Sequence, residues 1–223
     1  MNKAYNIDCM KALKCIPNKY FNLAVVDPPY GIGESGGKNK SRGKLAVPTD
    51  YKPFAGNDMK PMDKTYFNEL ERVSENQIIF GANHFADRLP HCSSPCWIIW
   101  DKENGCTDFA DAELAWTSFK SAVRIFRFKW QGMLQGNMAN KEIRIHPTQK
   151  PVALYRWIFQ HYAKPGDKIL DTHLGSGSSR IAAYEAGLDF IGFEIDKYYF
   201  DKQEERFADY TSQISLFNVG ESI

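Results

Sequence analysis

The stretch that most constrains the fold is KILDTHLGSGSSRIAAYEAGLDFIGFEID, Lys168 to Asp196. An apolar run reaches Asp171, the glycines Gly175 and Gly177 follow, and a helix is predicted from near Ser178. A second apolar run, FIGF, then closes on Glu194. Strand, glycine turn, helix and strand in this order make a βαβ unit, the layout of a nucleotide site. Glycines let a ligand approach the backbone, and a helix N-terminus favours an anionic group. Glu194, 19 residues after Gly175, can accept both hydroxyl hydrogens of a ribose. The position three after Gly177 is Arg180 and not a third glycine, which favours a small adenosyl ligand over a dinucleotide.

The apolar runs NLAVV (22–26), NQIIF (76–80) and CWIIW (96–100) are also short and bounded by turn signals. Such runs suit strands buried on both faces of a largely parallel sheet. Between them, Asp63 can cap a helix carrying Phe67, Leu70 and Val73 at near-helical spacing. After Pro151, the residues Val152, Tyr155, Phe159 and Tyr162 share one face, and KPGD (164–167) ends that helix. The alternation predicts an α/β domain. In SAVRIFRFKW (121–130), Arg124, Phe126, Phe128 and Trp130 alternate with Val123, Ile125, Arg127 and Lys129, which predicts a half-exposed strand with a basic, aromatic surface.

A chain of 223 residues with 43% hydrophobic residues is one globular domain and neither disordered nor of low complexity. No signal-like segment or membrane-length apolar run is present, so the chain reads as soluble and cytoplasmic. A formal charge of +1 excludes a globally basic coat but not local patches. Five irregularly spaced cysteines argue against a disulfide framework. HCSSPC (91–96) lacks a second ligand pair, so no metal site is expected.

A second informative stretch is VVDPPYGIG, Val25 to Gly33. DPPY at 27–30, taken with DTHLGSGSS at 171–179, resembles the amino-group DNA methyltransferases that use S-adenosylmethionine. The resemblance spans nearly the whole chain, through NIDCMKAL (6–13), WIIWDK (97–102), ELAWTSFK (113–120) and HPTQKPVALYRWI (146–158). With the tetrapeptide first and the glycine loop last, the order is that of the β class. The resemblance implies a Rossmann-like α/β methyltransferase fold, circularly permuted in motif order, with a mostly parallel central sheet and helices on both faces. It also implies one domain over 1–223, with a short target-recognition element at about 119–145 and a tail from about 211.

The implied chemistry is transfer of a methyl group to the N6 of a flipped adenine in double-stranded DNA. Asp27 and the main-chain carbonyl of Pro28 would accept the amine hydrogens, Pro29 would stiffen the turn, and Tyr30 would stack on the base. At the cofactor, Glu194 would take the ribose, Asp8 the adenine amine and Asp171 the amino end, with Gly175 and Gly177 alongside. Ser178, Ser179, Thr148 and Lys150 would hold the carboxylate, and His173 replaces the aromatic that usually opens the loop. Lys38, Lys40, Arg42, Lys44, Arg124, Arg127, Lys141 and Arg144 form the basic side expected to meet phosphate, whereas 185–209 is acidic. A homodimer would add contacts, and QISLF, Gln213 to Phe217, resembles a sliding-clamp docking peptide. Cytosine N4 methylation is an alternative reading. A catalytically silent DNA-binding regulator and a nicotinamide-dependent oxidoreductase are others.

Overall fold

The computed structural model describes residues 1–34, 51–53, 58–105, 110–131 and 134–219, with side chains through 213. Strand β2 (Phe21–Val26) shows how the sequence builds its layers. Its alternate residues Leu23 and Val25 enter one core and Ala24 and Val26 the other, all fully buried. A strand hidden on both faces cannot alternate polar with apolar, which is why it reads as a continuous apolar run. Each such Leu or Val contributes about 1.5–3 kcal/mol by leaving water.

The Leu23 core is closed by α3 (Val152–Tyr162) and α4 (Ser178–Glu185), with α5 (Lys197–Val219) alongside through Phe207 and Tyr210. The Ala24 core is closed by α1 (Cys9–Leu13) and α2 (Lys64–Val73). Helix α2 starts where expected, because the Asp63 carboxylate accepts the Tyr66 backbone N–H at 3.1 Å. Its buried face is Tyr66, Phe67, Leu70 and Val73.

Eight strands form one sheet in the order β1 (Asn2–Asn6), β10 (Asp189–Glu194), β9 (Lys168–Asp171), β2, β3 (Ser74–Phe80), β5 (Ala112–Thr117), β4 (Trp97–Asp101) and β6 (Arg124–Arg127). Neighbours run parallel throughout, except that β5 is antiparallel to both β3 and β4. The sheet is therefore mostly parallel with helices on both faces, a Rossmann-like arrangement. The tetrapeptide strand β2 lies directly beside β9, with Leu23 opposite Ile169 and Ala24 opposite Leu170.

The stretch 121–130 departs from expectation. Only Arg124–Arg127 joins the sheet, as its edge strand, and the chain then leaves to pair β7 (Trp130–Gln131) with β8 (Leu134–Gln135). Its aromatics do not form a surface. Phe126 packs 5.7 Å from the Trp157 ring of α3, Phe128 follows inward beside it, and the Trp130 indole N–H donates to the Gln149 carbonyl at 2.7 Å. Val123 and Ile125 are left exposed with Arg124 and Arg127. The alternation was legible, but which face met the core depended on α3, far along the chain.

Among the described residues, no helix is long and apolar enough to cross a membrane.

Candidate active site

The parallel register brings the carboxyl ends of β1, β10, β9 and β2 to one edge of the sheet. Each ends at or close to an acid: Asp8, Glu194, Asp171 and Asp27 respectively. Crevices outside the carboxyl ends of parallel strands are where such folds bind ligands.

The glycine turn joins β9 to α4. Gly175 and Gly177 have φ of +52° and +74°, a conformation that a side chain resists. Glu194 secures the turn from β10. Its Oε2 accepts the Gly175 N–H and its Oε1 the Asp196 N–H, both at 2.8 Å. Asp171 lies beneath, almost fully buried, accepting the His173 N–H at 3.0 Å and the Ser179 hydroxyl at 2.5 Å. Burial pushes the Asp171 carboxyl up to about 7. Burial also lowers the His173 imidazole to about 4, so it is neutral at pH 7. Its ring meets Tyr66 edge-on at 5.5 Å, and the Tyr66 hydroxyl bonds Thr172 Oγ1 at 2.6 Å.

The tetrapeptide follows β2, with Pro28 buried and Asp27 and Tyr30 partly open. Asp27 Oδ1 accepts the Tyr30 hydroxyl at 2.6 Å, and Oδ2 accepts Lys150 Nζ at 2.5 Å. Lys150 also donates to the Tyr30 oxygen at 3.1 Å and stands 3.1 Å from Glu113 Oε2. Glu113 Oε1 in turn lies 2.5 Å from Lys102. Burial raises the Asp27 pKa, and the Lys150 charge opposes that rise. Both lysines hold Glu113 down at about 2, against its own burial.

Three residues, His84, Gly81 and Asp58, fix the attitude of this tetrapeptide. Tyr30 stacks on His84 with ring centroids 5.3 Å apart, over Gly81 at the end of β3. Gly81 has φ +68°, and a Cβ there would stand 2.1 Å from the Tyr30 ring, so both backbone and contact demand glycine. Downstream, the buried Asp58 carboxylate accepts the N–H groups of Gly31, Ile32 and Glu34 at 2.8–3.2 Å.

The remaining residues singled out in the sequence fall unevenly. Asp8 caps α1, its Oδ1 accepting from Met10 and Lys11. Thr148 is exposed, 3.1 Å from His146 Nδ1. Lys150 lies on Asp27 and not on the glycine turn. Ser179 is spent on Asp171, and Ser178 accepts from Arg206, which also pairs with Glu142 at 2.8 Å. Lys38, Lys40, Arg42 and Lys44 lie outside the described residues. Arg124 and Lys141 are exposed, as is Arg127, which sits 3.3 Å from Asp101. Arg144 is half-buried, with its guanidinium 5.2 Å over Trp130.

Among the described residues, no cluster of three or more His, Cys, Asp or Glu is arranged to hold a metal ion. A separate apolar groove of about 390 Å³ beside α1, lined by Tyr5, Ile16, Tyr20 and Phe193 among others, includes none of these side chains. Sequence reasoning missed Lys102, Glu113, Gly81 and Asp58. The only signals for the first two were their places in WIIWDK and ELAWTSFK.

A family model described as DNA methylase matches residues 98–205, from β4 into α5. Over most of its length the chain is 26% identical to the type II methyltransferase M.HinfI of Haemophilus influenzae, covering 92% of this chain and 68% of that protein. It is 24% identical to M.HpaI of Haemophilus parainfluenzae, covering 89% and 72%. The chain is thus similar to DNA methylases, by the family model over nearly half of its length and by these relatives over most of it. Solved structures bear out its fold. The M1.HpyAVI–SAM complex superposes with a TM-score of 0.61 at 20% identity, covering 92% of this chain and 98% of that chain. The PvuII DNA methyltransferase (cytosine-N4-specific) gives 0.59 at 12% identity, covering 96% and 93%. The matched family segment holds Glu113, Lys150, the glycine turn and Glu194, while the tetrapeptide lies upstream of it.

Proposed function

We propose that this chain is a DNA methylase that uses S-adenosylmethionine to methylate the exocyclic N6 of adenine, extruded from double-stranded DNA into the crevice at the carboxyl edge of the sheet. The observation that carries the reading is the adjacency of β2 and β9, which sets Asp27 beside the strand that leads into the glycine turn. One strand end offers acceptors for an amine, and its neighbour offers a seat for an adenosyl group.

The residues present fit S-adenosylmethionine. Gly175 and Gly177 leave the turn bare of side chains, and the Glu194 carboxylate keeps lone pairs for ribose hydroxyls beyond the two N–H bonds it accepts. Asp171 lies at the opposite, buried side of the turn, suited to an amino group. When bound, S-adenosylmethionine supplies a methyl group on a positively charged sulfur, the electrophile for an amine.

The chain's own residues prepare the nucleophile. A base amine is weakly nucleophilic because its lone pair is delocalised into the ring. Asp27 and the Pro28 carbonyl, accepting its two hydrogens, favour a pyramidal nitrogen with a freer lone pair. The prolines hold these acceptors in place before the base arrives. Tyr30, propped over Gly81, gives the base a face to stack on, worth about 1–3 kcal/mol. Arg124, Arg127 and Lys141 are exposed on the side proposed for the phosphate backbone, with 119–145 as the recognition element. Gln213 is exposed on α5 at the start of the proposed clamp-docking peptide, whose later side chains lie outside the described residues. A cytoplasmic location and a homodimer complete the reading.

The test is to incubate the protein with unmethylated genomic DNA and methyl-labelled S-adenosylmethionine, then identify the labelled nucleoside by mass. N6-methyladenine is expected. Label in N4-methylcytosine would replace the substrate, and no label in DNA would overturn the reading.

A further inference from the structure

We propose that Glu113, itself held by Lys102, is a positioning residue for the methyl-transfer site: it shares the Lys150 ammonium with Asp27 and so sets how strongly Asp27 accepts a substrate amine. The inference deepens the reading above and rests on it for the identity of that amine.

The geometry that carries it is an alternating row of charges, Lys102, Glu113, Lys150 and Asp27. Consecutive members are 2.5, 3.1 and 2.5 Å apart. An ammonium has three N–H donors and no acceptor. Lys150 donates to Asp27 Oδ2 and the Tyr30 hydroxyl, and is ion-paired with the buried Glu113 Oε2 at 3.1 Å. It is 5% exposed and stands 4.9 Å over the Phe80 ring, so water offers it little alternative. In such surroundings a cation resting on Asp27 alone would weaken that carboxylate as an acceptor and compete with an arriving amine. Glu113 draws part of the cation to the far side. Lys102 moderates Glu113 in the same way.

Because the signs alternate along the row, the two outer residues act on Asp27 in opposite directions. Neutralising Glu113 leaves Lys150 wholly to Asp27 and removes a negative neighbour, which lowers the Asp27 pKa. Removing Lys102 exposes Asp27 to a fuller Glu113 charge and draws Lys150 away, which raises it. The charged and titratable groups facing Asp27 are Lys150, Glu113, Tyr30, Asp171, Tyr155 and Tyr66, with His84 and Lys102 one contact further out. A purely structural role for the pair predicts no such opposition of sign.

The experiment follows the Asp27 carboxyl by carbon-13 NMR titration of the full chain, assigned with Asp27→Asn, in the parent, Glu113→Gln and Lys102→Met. No cofactor or DNA is needed. The midpoint is expected to fall in Glu113→Gln, to rise in Lys102→Met, and to stay near the parent in Glu113→Asp. On DNA, Glu113→Gln is expected to lose about tenfold in kcat while KM for S-adenosylmethionine holds within about twofold. Unchanged midpoints, or shifts of one sign in both variants, would overturn the proposal. If Glu113→Gln fails to fold, an unchanged midpoint in Lys102→Met overturns it alone. A parent chain that leaves DNA unmethylated while its variants shift in opposite directions refutes the assigned reaction and upholds the coupling.

Discussion

The two halves of the candidate site are built on different length scales. Around the glycine turn, the bonds are local: Asp171 to His173 and Ser179, and Glu194 to Gly175, span 2, 8 and 19 residues. Around the tetrapeptide, Lys150 reaches Asp27 and Tyr30 across 123 and 120 residues, and Glu113 arrives from yet another strand. A local site follows from one βαβ unit and can be read in a motif. A site assembled from distant strands exists only when the sheet has formed, and its charges are balanced by partners that no spacing rule pairs. The proposed division of labour follows the same line, with the local half seating a cofactor and the assembled half tuning an amine.

The comparison breaks most sharply at Asp27. Asp27→Asn keeps the turn intact but removes the carboxylate, so methylation of DNA is expected to fall at least about 10³-fold with S-adenosylmethionine binding retained. Calorimetric titration beside a methylation assay separates the two effects. Equal loss of binding would mean that the halves are not separable.

Gly81→Ala probes the assembled half without touching a charge. The added methyl strains a left-handed residue and displaces the Tyr30 ring, and kcat is expected to fall about 10–100-fold with little change in cofactor affinity. Wild-type turnover in a folded Gly81→Ala protein would show that the observed Tyr30 position is dispensable.

Glu194→Gln tests the local half. Losing a charged acceptor for ribose hydroxyls is expected to weaken S-adenosylmethionine by about tenfold, near 1.4 kcal/mol, while kcat at saturation changes less. A variant that binds as tightly as the parent would move the ribose elsewhere.

The smallest effect concerns Asp171. Burial raises its folded-state pKa from the ordinary 3.8 to about 7, so the native chain holds a proton that the unfolded chain has released between those pH values. Stability from this group therefore falls as pH rises from about 4 through 7. Asp171→Asn, whose amide oxygen can still accept the His173 N–H while its NH2 donates to the Ser179 hydroxyl, should flatten that fall and raise Tm by about 2–4 °C at pH 8 relative to the parent, with less gain at pH 5. Thermal melts at the two pH values check it, and parallel curves would remove the buried charge from the account.

Much of the fold was legible because strands buried on both faces announce themselves as apolar runs, and because Asp63 and the glycines mark element ends chemically. The turn and Glu194 were legible for the same local reason. The destination of Lys150 was not. A lysine before a helix reads equally as a solvated charge, an anion ligand or a buried partner, and only the folded sheet places Asp27 at 2.5 Å from it. No spacing in the sequence pairs Gly81 with Tyr30, whose ring lies over it in the fold. The inward turn of Phe126 and Phe128 likewise depended on Trp157, a residue of α3.

The claim on which the rest depends is that both halves serve one reaction. A crystal structure of the chain with S-adenosylmethionine tests it most directly, through the position of the sulfonium methyl relative to Asp27. A reactive amine stands about 3–3.5 Å from the methyl carbon and about 2.7–3.2 Å from its acceptor, so the account predicts that methyl facing Asp27 within about 6.5 Å. A methyl turned away from Asp27, or a donor seated in the apolar groove beside α1, would contradict it.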